Sequence, residues 1–178
     1  MNNFNWRGVV ALLACLLIVL LTNLAVAGKE KLLAQGRVVY LQLATVDPRS
    51  LMQGDYMALN YQLAREVNDA LSAKGDQGSR GSGLNASDGR TVVRLDERSV
   101  ASFSRLEDAQ QLAQDEILMR YRVRNGRLRF ASNGFFFREG TGDLYQDARY
   151  GMFRVDARGE LLLTHLCDEN LRPLGSGI

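Results

Sequence analysis

Histidine occurs once in the 178 residues, cysteine and proline twice each, and lysine only at positions 29, 31 and 74. A single histidine excludes a two-histidine metal site. Cys15 lies within an apolar run, so Cys167 is alone in the rest of the chain, which excludes an intrachain disulfide there and a thiolate metal cluster. Two prolines against seventeen glycines, without a Gly-X-Y period, exclude collagen and proline-rich spacer architecture. Charge of one sign is also missing. Setting Arg7 aside, 21 basic residues face 20 acidic ones, and nucleic-acid binding needs a marked basic excess. Neither a P-loop nor a dinucleotide fingerprint occurs. The sequence assigns no cofactor, no metal ligand and no catalytic residue.

What the chain does have begins with Val9 to Ala27, a run whose only clearly polar members are Thr22 and Asn23. As a helix it is roughly 28 Å long, close to the ~30 Å hydrocarbon core of a bilayer. Trp6 and Arg7 stand at its entry edge, where a ring and a cation suit the headgroups. Residues 1–28 therefore read as a transmembrane anchor, and its length favours retention over removal as a signal peptide. Ala25-Val26-Ala27 nevertheless has the small-x-small form of a cleavage site. That boundary and the short, nearly neutral head place the soluble part outside the cytoplasm; Lys29, Lys31 and Arg37 oppose this by the positive-inside rule.

Residues 29–178 read as one α+β domain, mainly antiparallel, with two or three short helices. Gly36 to Val46 predicts a strand, closed by Asp47-Pro48. Gly54-Asp55 predicts a turn, and Tyr56 to Tyr61 a second strand. Leu59, Leu63, Val67 and Leu71 recur every four residues and predict a short amphipathic helix. Residues 74–90, rich in Gly, Ser and Asp, predict a flexible loop. Thr91 to Asp96 and Ser99 to Ser104 read as a hairpin. Ser104-Arg-Leu-Glu107 has the form of a capping box and predicts a helix to about Gln114. Thr141 to Ala148 predicts one or two helical turns, followed by a hairpin of Arg149–Val155 with Glu160–Leu166.

Asn125-Gly126 and Asn133-Gly134 are both of the type that closes two-residue hairpins. With Arg124 opposite Arg127, one face carries Ile117, Met119, Tyr121, Val123, Leu128 and Phe130. The other carries Arg120, Arg122, Arg124, Arg127 and Arg129, and the second turn adds Arg138 to it. The prediction is a three-stranded meander, apolar beneath and arginine-covered above. Like charges directly across a hairpin destabilise it. Either nearby Asp and Glu neutralise the face, or it binds an anion such as a lipid headgroup, a glycan or an acidic partner; the arginine fork suits both.

Gly54-Asp55-Tyr56-Met57-Ala58-Leu59-Asn60-Tyr61 follows Asp47-Pro48-Arg49 and carries a family pattern at Gly54, Asp55, Tyr56, Leu59 and Tyr61. With the single anchor before it, the chain resembles the GDYxxLxY family of bacterial membrane-anchored proteins. The resemblance implies a bacterial inner-membrane protein with one span and no established activity or cofactor, expected beside a multi-pass membrane partner. Physically, the eight residues are either a turn-and-strand brace or a recognition surface formed by Tyr56 with Asp55, Asp47 and Arg49.

Pro48-x-x-Leu51-x-x-Gly54-Asp55 is also similar to the segment after the nucleophile of type I signal peptidases, which would put Thr45 at the serine position. That chemistry needs a lysine base, and no lysine follows Lys74. His165 sits in a strand pattern, and Asp143, Asp147, Asp168 and Glu169 have no acid/base spacing. The reading is a membrane-anchored, non-enzymatic accessory or docking module. The alternatives are an anion- or headgroup-binding module and a small envelope hydrolase.

Overall fold

The computed structural model describes residues 6–44, 52–53, 56–75 and 87–175. Contacts divide the chain into residues 1–35 and residues 36–178.

The first unit is one helix, α1 (Trp6–Gln35). It is long and apolar enough to cross a membrane, and the apolar side chains of its Val9–Ala27 stretch are exposed. It runs past the apolar stretch and through Gly28 without a break. The two polar side chains of that stretch are turned onto the helix backbone. Thr22 Oγ1 donates to Ile18 O and Asn23 Nδ2 to Val19 O, both at 2.8 Å, which is how a helix hides hydroxyl and amide groups from hydrocarbon.

The second unit carries eleven strands among its described residues: β1 (Arg37–Gln42), β2 (Met52–Gln53), β3 (Tyr56–Ala58), β4 (Ser87–Leu95), β5 (Ala101–Leu106), β6 (Glu116–Arg124), β7 (Arg127–Phe130), β8 (Gly134–Phe136), β9 (Tyr150–Val155), β10 (Leu161–Cys167) and β11 (Pro173–Leu174). They form three antiparallel sheets in the orders β1-β9-β10-β11, β2-β3-β8 and β5-β4-β6-β7. The helix α2 (Gln62–Gly75) packs against β5 and β7. Its four-residue apolar stripe is inward as the spacing predicts, with Leu63 and Val67 buried and Leu71 partly so. The architecture is α+β, with α1, α2 and one 3-10 turn at Gly142–Tyr145.

Four local expectations are corrected. The strand β4 starts at Ser87, so residues 87–90 are paired with β6 and are not loop; residues 76–86 lie outside the described residues. Ser104 and Arg105 belong to β5, and no helix forms over 104–114. The side chains that would have capped it are committed elsewhere: Ser104 Oγ donates to Glu116 and Glu107 pairs with Arg90. Tyr56 to Tyr61 is a strand only to Ala58, with Tyr61 in an isolated bridge to Leu43. Finally, Asn133-Gly134 closes no hairpin. Neither residue takes a positive φ; Ala131 does, at 33°, and turns the chain out of the sheet. β8 then pairs with β3, so the meander has two of its three strands and Arg138 is not part of its arginine face.

One turn design recurs three times. Asp96, Asp156 and Asp168 each accept two backbone N–H groups on Oδ1, from the residues two and four positions on. The residue three positions on is left-handed in every case: Ser99 at φ 62°, Gly159 at 82° and Leu171 at 63°. Only the second copy has the glycine that this conformation favours. Gly159 also approaches β6 closely, accepting a hydrogen bond from Arg120 N at 2.8 Å, and a Cβ there would stand 3.1 Å from Leu118 backbone atoms. Leu171→Gly should therefore raise stability by about 1 kcal/mol and Gly159→Ala lower it by about 1–3 kcal/mol. Urea unfolding of the full chain in mild detergent checks both; a destabilised Leu171→Gly would contradict the strain.

Candidate functional site

Of the motif, Asp47, Pro48, Arg49, Gly54 and Asp55 lie outside the described residues, as does Thr45. Tyr56, Leu59 and Tyr61 are described, and the alternation of the chain sends them two ways. Leu59 and Tyr61 point inward and are 1% exposed. The Tyr61 ring meets Phe153 edge-on with centroids 5.5 Å apart, and a Cβ added to Gly151 would be 3.2 Å from it. Its hydroxyl donates to Ser132 O at 3.4 Å, and burial pushes the phenol far above its ordinary pKa. Tyr56 faces the other way. Directly across the β3–β8 pair lies Phe136, 76% exposed, with its ring 5.8 Å from that of Tyr56. The neighbouring Phe135 is buried against Tyr145, centroids 5.0 Å apart, so the β3–β8 pair is anchored beneath and aromatic above.

The second candidate is the arginine face. Asn125 and Gly126 take φ values of 53° and 69°, and Arg124 lies opposite Arg127 and Arg122 opposite Arg129, as the turn type predicts. β4 supplies part of the neutralisation. Asp88, across from Arg122, pairs with Arg124 at 2.7 Å and with Arg120 at 3.4 Å. The Arg124 guanidinium, with Arg120 second, holds the Asp88 carboxyl below its ordinary pKa. Glu160 takes Arg120 as well, and Glu107 takes Arg90. Arg122, Arg127 and Arg129 are exposed and have no acidic partner among the described residues.

At the other end of the same face the balance reverses, and sequence reading missed this cluster. Glu116 is buried on β6. It accepts from Ser104 Oγ at 2.8 Å, Arg105 Nη1 at 2.6 Å and Ala113 N at 3.1 Å. Arg94 lies 3.9 Å away and is held by Asp115, while Asp108 takes Arg105. The Arg105 hydrogen bond, then the Ala113 amide, then Ser104, hold the Glu116 carboxyl down to about 2. The hydrogen bonds that Glu116 accepts all come from residues 104–113, so it ties that segment to the sheet. The one signal available was the alternation that puts Glu116 on the face of Arg120.

His165 lies on β10, and its Nδ1 is shielded without a hydrogen-bond partner among the described residues. A triad histidine is aligned by a carboxylate at that atom, and none of the described residues supplies one. Cys167 is fully buried, and burial pushes its thiol up to about 11. No cluster of three metal-ligating side chains occurs among the described residues.

A family model described as GDYXXLXY protein matches residues 18–166, from within α1 to β10. No curated protein and no solved structure matches the chain.

Two outcomes follow from the packing and the charges. Tyr61→Ala should cost about 3–5 kcal/mol of stability, whereas Tyr61→Phe, which gives up one long hydrogen bond, should cost about 1 kcal/mol or less. Denaturant unfolding compares them, and equal losses would show that the hydroxyl matters more than the ring. The Glu116 carboxyl is depressed in the folded chain relative to its ordinary 4.5. Its contribution is therefore complete above that value and is lost as pH falls towards about 2. Glu116→Gln should lower the melting temperature at pH 7 and flatten its decline between pH 5 and 2.

Proposed function

The chain belongs to the GDYXXLXY family, and from that membership and the span-length α1 we propose a single-pass membrane-anchored protein that acts as a non-enzymatic docking module for a membrane partner. In this reading it sits in a bacterial inner membrane, with residues 36–178 outside the cytoplasm. The Ala25-Val26-Ala27 boundary supports that side.

One observation carries the docking role. The motif strand builds the core with its inward residues and, on its outward side, places Tyr56 beside the 76% exposed Phe136. Aromatic side chains supply large contact area at low entropic cost and are enriched where proteins meet. An exposed phenylalanine alone is ordinary; here it extends the outward residue of the motif itself. Anchoring by α1 confines the search for a partner to the membrane, which favours a multi-pass membrane protein as the occupant. The motif's charged residues Asp47, Arg49 and Asp55 flank β2 and β3 in sequence and are proposed as the polar contribution to that surface.

Full-length tagged chain, purified in mild detergent after crosslinking, should bring one stoichiometric membrane protein with crosslinks within residues 47–61 or 134–138. The double change Tyr56→Ser with Phe136→Ser should weaken that association by roughly thirtyfold or more, as expected for centrally placed aromatic anchors, while the melting temperature stays within a few degrees. Recovery of the folded chain alone would sink the docking role. Release of the chain from membranes by alkaline carbonate would sink the anchor.

A further inference from the structure

We propose that the tip of the β6–β7 hairpin, through Arg122, Arg127 and Arg129, binds the phosphates of anionic phospholipids in the membrane that α1 crosses. The proposal rests on the reading of α1 as an anchor and is separate from the docking role of Tyr56 and Phe136.

Three observations carry it. The first is charge that the fold does not use. On this part of the face, among the described residues, six arginines (90, 120, 122, 124, 127 and 129) meet three carboxylates, Asp88, Glu107 and Glu160. The carboxylates are spent on Arg90, Arg120 and Arg124, which leaves Arg122, Arg127 and Arg129 exposed and without an acidic partner among the described residues. The second is direct opposition. Arg122 and Arg129 are cross-strand partners, and so are Arg124 and Arg127. Cross-strand Cβ atoms stand about 5 Å apart, so these cations repel. An anion seated between them converts that repulsion into attraction, and a phosphate accepts the planar arginine fork in a way a point charge does not. The third is polarisation along one face. Glu116, Asp115 and Asp108 balance its far end, so the positive excess is confined to the hairpin tip.

The occupant is fixed by the tether. α1 ends at Gln35 and β1 begins at Arg37, with Gly36 alone between them. A unit of this size is roughly 40 Å across, so the tether to a spanning α1 raises the local concentration of phospholipid phosphates available to the hairpin. A soluble anion has no such local concentration. The near-exclusive use of arginine over lysine on this hairpin fits a phosphate ligand at short range rather than long-range attraction alone.

The test uses the full chain in lipid nanodiscs, either pure phosphatidylcholine or containing 30% phosphatidylglycerol, with arginine modification by phenylglyoxal read by mass spectrometry. Arg65, exposed on α2, is the internal control. Arg122, Arg127 and Arg129 should react at least fivefold more slowly in the anionic discs, Arg65 equally in both, and 0.5 M salt should remove the difference. Arg122→Gln with Arg129→Gln should return Arg127 to its rate in neutral discs, since each arginine near an anionic surface contributes roughly fivefold to its occupancy. The same double change relieves cross-strand repulsion, so the melting temperature should hold or rise, which separates lost binding from lost folding. Equal rates in the two discs overturn the proposal. So does slowing by 10 mM inorganic phosphate in neutral discs to the same extent, which would make the ligand a soluble anion. Protection in native membranes but not in anionic discs also overturns it and gives the hairpin to an acidic protein. Failure of the chain to enter discs removes the anchor and the proposal together, whereas entry with equal rates removes the proposal alone.

Discussion

The Tyr61 ring stands edge-on to Phe153 and against the backbone of Gly151, and this contact joins parts of residues 36–178 that are far apart in sequence. Its backbone bridges Leu43 just after β1, its carbonyl accepts the Ala64 N–H in the first turn of α2, and its hydroxyl reaches Ser132 before β8. Four elements thus take their positions from one residue, two through its backbone and two through its side chain. A smaller residue would leave a cavity beneath all of them, and the absence of a side chain at Gly151 is what lets the ring lie so close. The last position of the family pattern is in this sense a packing requirement, and its place in the pattern needs no ligand to explain it.

The same strand separates two kinds of work by alternation alone. Met57, Leu59 and Tyr61 are buried, while Tyr56 stands on the outer side with Phe136. A substitution on the inner side acts through stability, and one on the outer side leaves the core packing intact. The charged face shows a similar division along its length. At the Glu116 end, donors and acceptors are matched and the chain from Arg94 to Asp115 is tied down. At the hairpin end, three guanidinium groups have no acidic partner among the described residues.

What was legible in the sequence was local and periodic. The Asn125-Gly126 turn set the register of β6 and β7 because both residues must take positive φ, and that requirement fixes which residues face each other. The stripe through Leu63, Val67 and Leu71 identified α2 because burial of one helix face needs that spacing. The failures came where a distant partner outweighed a local preference. Ser104 and Glu107 have the spacing of a capping box, yet Glu116 and Arg90 offered them stronger, charge-assisted partners within the sheet. Asn133-Gly134 has the chemistry of a tight turn, but the exposed edge of β3 recruited β8 and the reversal moved to Ala131. Ser87 to Arg90 are as polar as a loop; pairing with β6 made them strand. None of these partners lies within reach of a local reading. The Arg120–Glu160 and Arg120–Asp88 pairs were invisible for the same reason, and with them the split of the arginine face into satisfied and unsatisfied halves.

The closure of the C-terminal edge has a chemical consequence. Cys167 ends β10 between Tyr150 on β9 and Pro173 on β11, fully buried and with its thiol raised to about 11. Burial and the raised pKa both keep the reactive thiolate scarce at neutral pH. The other cysteine, Cys15, lies in the apolar helix α1. Labelling of Cys167 by a water-soluble alkylating agent therefore requires the sheet to open around β10, and its rate reports how readily that edge opens.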